Sequence, residues 1–206
     1  MIKIKKIAGL LLALTVAISP VSTIFAEPDS TPPADDVYME DATLTAPDTS
    51  NAGAVLLMDM KSGRVIYSKN ADKKMYPAST TKMMTAILAL ESDKMGDTVT
   101  ATYEALESIT LEDSHMGILI GEELTMVDLV NSTLIYSAND AANVIGVHVG
   151  GTLPDFIDMM NAKAKELGCT NTNYVNVHGL DEEGHYTTAH DLYLICKEAM
   201  KNPVFE

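Results

Sequence analysis

The sequence predicts an α+β fold, in which a small sheet forms early and helices fill the rest of the chain. Three observations carry this. Strand signals cluster before residue 70, four long helical stretches follow residue 120, and between them runs a helix that is apolar almost all round. Runs of strands followed by runs of helices are the pattern of an α+β domain.

Taken in order, "AGAVLLMDMKSGRVIYSKN" (52–70) reads as two strands about the turn "KSGR", with β-branched and large apolar residues on both sides. A helix over 79–91 comes next; from Met83 to Leu90 its only polar residue is Thr85, so burial is expected. "GDTVTAT" (96–102) is a short strand. A helix starting near Thr125 places Val127, Val130, Leu134 and Ile135 on one face. "NDAANVIGVHVGG" (139–151) is a second apolar helix, stopped by Gly150 and Gly151. A third spans "LPDFIDMMNAKAKELG" (153–168), with Pro154 in its first turn and Gly168 at its end. The last, "TTAHDLYLICKEAMKN" (187–202), has Thr187 or Thr188 as N-cap. No internal repeat is visible.

The N-terminus reads differently. "MIKIKK" followed by an apolar run to Ala26 has the anatomy of a secretory signal peptide, with cleavage expected after Ala26. An uncleaved anchor is the competing reading, which leaves membrane attachment open. Residues 27–51, rich in Pro, Asp, Thr and Ser, read as a flexible acidic linker. The folded domain is expected over 52–206. Removing three leader lysines leaves 11 basic against 29 acidic residues, a net charge of −18. That balance excludes a nucleic-acid partner, because phosphate binding needs clustered Lys and Arg. Cys169 and Cys196 would be permitted to pair in an exported chain. Cys196 nevertheless shares an apolar stripe with Leu192 and Ile195, as a small core residue does.

The chemistry centres on "YPASTTKMMTAILAL" (76–90). A single lysine, Lys82, stands in an apolar wall one helical turn after Ser79. Desolvation lowers a lysine pKa and frees a neutral amine to act as a base, while a hydroxyl at a helix start faces free N–H groups. A capping serine with a snorkelling lysine would produce the same pattern. In "YSAND", Ser137 and Asn139 fall at the break between two helices. There a hydroxyl can relay a proton and an amide can bind a substrate carbonyl, although Asn139 or Asp140 as a helix cap is the simpler account.

Together, Ser79-x-x-Lys82 and Ser137-Ala138-Asn139 resemble the first two of three motifs of the penicillin-recognising acyl-serine enzymes. The surrounding sequence, including "FIDMMNAKAKELGCTNTNYVNVHGLDEEGHYTTAHDLYLI", looks like the D-alanyl-D-alanine carboxypeptidases of the low-molecular-weight penicillin-binding proteins. The resemblance implies a helical lobe beside an antiparallel sheet, incomplete in this chain. It implies Ser79 as acyl-ester nucleophile, Lys82 as general base, Ser137 as proton relay and Asn139 as substrate-binding residue. The implied partners are a peptidoglycan stem peptide ending in D-Ala-D-Ala and β-lactam inhibitors, with no cofactor. The third motif, a Lys-Thr-Gly-like triplet, does not occur before Glu206. On the resemblance, the chain is then the front part of a longer protein.

Two other readings are weaker. A class A-like β-lactamase would need a deacylating glutamate with an asparagine four residues on, whereas Glu166 is followed by Thr170. An inactive muropeptide-binding module is disfavoured because all four motif residues are present. His178, His185 and His190 are spaced as in no zinc motif, so no metal is expected.

Overall fold

The computed structural model describes residues 37–39 and 45–205. The expected signal peptide, 1–26, lies outside the described residues, as does much of the expected linker. One compact unit ends at Ala71 and a second begins at Asp72.

The first unit is a three-stranded antiparallel sheet of order β1-β3-β2, made of β1 (Val37–Met39), β2 (Val55–Met58) and β3 (Val65–Lys69). β2 and β3 are the expected hairpin. Asp59 organises its turn: one carboxylate oxygen accepts the N–H of Lys61 and of Ser62, and Gly63 takes a positive φ of 72°. β1 corrects the linker expectation. Val37–Met39 pairs with β3 in the register Val37↔Lys69 to Met39↔Tyr67. Three residues with an aromatic and a β-branched side chain suffice to add an edge strand where a partner strand offers free N–H and C=O groups. Tyr67 is buried and its hydroxyl meets Thr49 Oγ1 at 2.9 Å, tying the chain before the hairpin to β3.

The second unit is built around α1 (Lys82–Glu91), preceded by a 3₁₀ turn, Ala78–Thr81. Seven of its ten residues are buried, Lys82 among them. Helices α3 (Met126–Ile135), α4 (Asn139–Gly150), α5 (Leu153–Glu166) and α6 (Ala189–Ala199) all contact it. A short helix, α2 (Tyr103–Leu106), packs on α4, and β4 (Thr98–Thr100) pairs antiparallel with β5 (Glu123–Thr125). Three of the helices start on the same Thr-x-x-Asp device. Thr125, Thr152 and Thr188 each accept the backbone N–H of the Asp three residues on, satisfying an otherwise orphaned donor. Gly150 ends α4 where no side chain fits: a Cβ there would lie 2.6 Å from Phe156 Cβ.

The face expected for α3 is a correction. Val127 and Ile135 are exposed at 49% and 75%, and the buried positions are Met126, Leu129, Val130, Ser132 and Thr133. Capping by Thr125 starts the helix at Met126, whose fully buried side chain sets an i, i+3, i+4, i+7 stripe turned away from the one anticipated. Cys169 and Cys196 are free, buried thiols. Among the described residues, no helix is long and apolar enough to cross a membrane.

Candidate active site

Pro77 leads into a backbone reversal. Ala78 sits at φ 48°, a left-handed conformation uncommon for a residue with a Cβ, and the 3₁₀ turn then hands over to α1 at Lys82. Ser79 is exposed on this turn. Lys82 is 2% exposed, and its Nζ donates to the backbone carbonyl of His178 at 2.7 Å and to Ser79 Oγ at 3.3 Å. No carboxylate offsets its burial in these contacts. Desolvation alone draws its pKa down to about 8.

The second pair arrives from the α3–α4 junction. Ser137 also takes a left-handed φ, 58°, and its hydroxyl donates to Ser79 Oγ at 2.9 Å. Non-glycine residues held at positive φ cost free energy and persist where their surroundings over-determine them; here two flank one hydroxyl. Asn139 opens α4 with a buried side chain, and its backbone N–H donates to Ser114 O at 2.7 Å. The capping account is not what the fold uses. Ala138 is the N-cap and makes no side-chain cap bond. Asp140, 1% exposed, turns its carboxylate onto the N–H groups of Met116, Gly117 and Ile118 as well as Ala141. The acidic side chain thereby ties the 116–118 segment to the start of α4.

Sequence reasoning does not identify the segment that backs the lysine. Thr85 Oγ1 donates to Val177 O at 2.6 Å, one turn along α1 from the Lys82–His178 contact. Asn176 accepts the N–H of Gly179 at 2.7 Å and closes the loop. Gly179, at φ 98°, lies so close that a Cβ would fall 1.9 Å from Ala78 O. The signal available is a glycine between His178 and Leu180 in an irregular stretch, which marks a turn or a close approach. Burial, together with the nearby Lys82 charge, lowers the His178 pKa to about 4. Of the other two histidines, His185 is buried and His190 faces Asp72 at 3.5 Å. Glu166, considered above for a β-lactamase role, lies in the last turn of α5 and pairs with Lys163 at 3.2 Å.

All four motif residues lie in the second unit, and three of their polar atoms converge on one point. The Ser79 hydroxyl is reached by an amine of lowered proton affinity and by a second hydroxyl, an arrangement able to remove a proton and pass it on.

The family model for D-alanyl-D-alanine carboxypeptidases, peptidase family S11, matches residues 41–206. The chain is 35% identical over 167 residues to the D-alanyl-D-alanine carboxypeptidase DacF of Bacillus subtilis, covering 79% of this chain and 42% of that protein. To DacC of Escherichia coli it is 38% identical, covering 78% of this chain and again 42% of the relative. The chain thus spans less than half the length of these two relatives. Among solved structures it is similar to penicillin-binding protein 5 from Haemophilus influenzae, with a TM-score of 0.72 and 32% identity over 77% of this chain and 47% of that one. The Francisella tularensis D-alanyl-D-alanine carboxypeptidase DacD gives a TM-score of 0.70 at 30% identity, covering 80% and 43%. The fold is theirs, and the chain belongs to the D-alanyl-D-alanine carboxypeptidase family.

Proposed function

We propose that the protein is a serine-type D-Ala-D-Ala carboxypeptidase that removes the terminal D-alanine from peptidoglycan stem peptides through an acyl-serine intermediate. The observation that carries this reading is the convergence of Lys82 Nζ and Ser137 Oγ on Ser79 Oγ, at 3.3 and 2.9 Å. Ser79 Oγ attacks the carbonyl carbon between the two terminal D-alanines, and its proton passes to the neutral Lys82 amine. An N–H of that amine stays on the His178 carbonyl, which leaves the lone pair for the serine. Collapse of the tetrahedral intermediate breaks the C–N bond. The proton then moves from Lys82 through the Ser137 hydroxyl to the departing amine, and D-alanine leaves. Water attacks the ester, its proton follows the same route in reverse, and Ser79 is restored. Asn139 is assigned the substrate side, its amide binding a carbonyl of the peptide.

No step calls for a metal or cofactor. β-Lactams engage the same serine, the ring C–N bond opening as the ester forms. The basic and apolar residues 1–26 support export as a signal peptide, with the enzyme domain following; the site of action is then the bacterial cell envelope. The test is an assay of the full-length protein on a peptide ending in D-Ala-D-Ala. Release of one D-alanine per peptide is expected. Binding without release would point instead to a muropeptide-binding module.

A further inference from the structure

Between Ser79 and Lys82 lies a contact that the proposed chemistry does not use. Thr81 is wholly buried, and its Oγ1 lies 2.9 Å from Nε2 of His185, a residue 104 positions later. The other ring nitrogen of His185, Nδ1, accepts the backbone N–H of Val175 at 3.0 Å. A neutral imidazole has one donor and one acceptor. With Nδ1 occupied as the acceptor, Nε2 carries the hydrogen and donates it to the threonine. The ring is 1% exposed and leans on Tyr174 with centroids 5.8 Å apart. Burial, with a smaller push from His178, lowers its pKa to about 4, so it stays neutral near pH 7. Protonation at Nδ1 would put a second N–H against the Val175 N–H and break that hydrogen bond.

We infer that His185 is a positioning residue for the acylation site: its Nε2–H holds the Thr81 hydroxyl and thereby fixes the spacing of Ser79 and Lys82. This rests on the reading of Ser79 and Lys82 as nucleophile and base. The turn that carries Ser79 needs such a hold. It begins at Ala78 in a left-handed conformation, and Thr81 makes no side-chain cap bond to α1. The His185 bridge, the Thr85–Val177 bond and the Lys82–His178 bond attach one side of the turn and helix to the 175–185 segment at three successive points. Removing the bridge lets the turn relax while α1 stays packed, so the hydroxyl moves relative to the amine.

The test uses His185→Gln, His185→Asn and Thr81→Val in the full-length protein. Glutamine places an amide N–H near the Nε2 position and keeps the donor to Thr81. Asparagine places its amide near Nδ1; it keeps an acceptor for Val175 but cannot reach Thr81. Acylation by a fluorescent penicillin should slow by ~10- to 100-fold in His185→Asn and Thr81→Val, the size expected of a misplacement near 1 Å, while His185→Gln stays within about 3-fold. The His185→Asn/Thr81→Val double variant should be no slower than the slower single one. Equal rates for His185→Asn and His185→Gln, or a wild-type rate for Thr81→Val, would overturn the inference and leave His185 as core packing. Thr81→Val preserves side-chain shape and carries the test if His185→Asn does not fold. Titration of the Lys82 amine by NMR provides a second readout without acylation. Its pKa should rise in Thr81→Val, because the displaced Ser79 turn uncovers the amine to solvent while α1 stays in place, and an unchanged value overturns the inference. Failure of the wild-type protein to acylate would count against the function proposed above, and the amine titration would still decide the role of His185.

Discussion

The Lys82 amine donates to the backbone carbonyl of His178 at 2.7 Å, across 96 residues of chain. A carbonyl bonds an amine in either protonation state, so this contact orients the nitrogen without fixing its charge. A carboxylate in that place would hold the ammonium form and remove the base. Burial without a counter-charge is what makes this lysine unlike a surface one.

Lys82→Arg therefore should abolish acylation, because a guanidinium keeps the charge but does not give up its proton near neutral pH. A loss of at least ~10³-fold in the acylation rate is expected from removing one member of a nucleophile–base pair. Circular dichroism should show the fold retained. Acylation at a tenth of the wild-type rate or more would make Lys82 an electrostatic fixture only.

The pH dependence follows from the same contact. With the pKa lowered to about 8, the neutral amine is the minor form at pH 7 and becomes the major one above pH 8. Acylation should rise close to tenfold per pH unit below about pH 7 and level off above pH 8. A plateau already reached at pH 6 would mean that Lys82 is not the titrating base.

Much of this site is legible in the residues alone. Ser79 and Lys82 are one turn apart on a helix whose apolar composition implies burial, so local spacing is enough to pair them. Ser137 and Asn139 stand at a helix break, where the residue types themselves mark an interruption. Contacts made by backbone across long separations leave no such trace. The His178 carbonyl, the close approach of Gly179 to Ala78 and the grip of Asp140 on residues 116–118 depend on tertiary placement, not on periodicity. The α3 face departs from expectation for a related reason: its apolar residues fit two adjacent stripes, and packing of Met126 chooses between them. β1 gives no signal because three residues carry no usable period.

Gly179→Ala should disturb the site from behind. An added Cβ meets the Ala78 carbonyl at 1.9 Å and also strains a φ of 98°, so the loop or the Ser79 turn must shift. Steric crowding and left-handed strain together suggest a loss of about 3 kcal/mol or more, measured by denaturant unfolding. Acylation of the folded fraction should fall as well, since the His178 carbonyl moves with the loop. Unchanged stability and rate would show that the two backbones have room to part.

Asp140→Asn removes the charge that receives the N–H groups of Met116, Gly117 and Ile118. Its amide nitrogen turns a donor toward other donors, so at least one backbone group is left unsatisfied. Hydrogen bonds to a charged group contribute about 1.5–3 kcal/mol, and a drop of at least ~2 kcal/mol in unfolding free energy is expected. A loss below 0.5 kcal/mol, taken as roughly the scatter for surface substitutions, would contradict this role.

Acid should destabilise the fold through His185. Its pKa is lowered from the ordinary value of 6.5 to about 4 in the folded state, so the unfolded chain binds more protons between those values. Stability then falls as pH drops from about 6.5 toward 4, and the contribution is fully present above the unfolded pKa. His178, shifted the same way, adds to the slope. His185→Gln should flatten the thermal midpoint against pH in this window relative to wild type. Parallel curves for the two proteins would place the acid sensitivity elsewhere.

The most direct test of the proposed mechanism is the position of the acyl group. Full-length protein labelled with a fluorescent penicillin, digested and mapped by mass spectrometry, should carry one adduct on Ser79, and Ser79→Ala should carry none. An adduct on Ser137 or any other residue, or labelling that survives Ser79→Ala, would contradict the assignment of the nucleophile and the mechanism built on it.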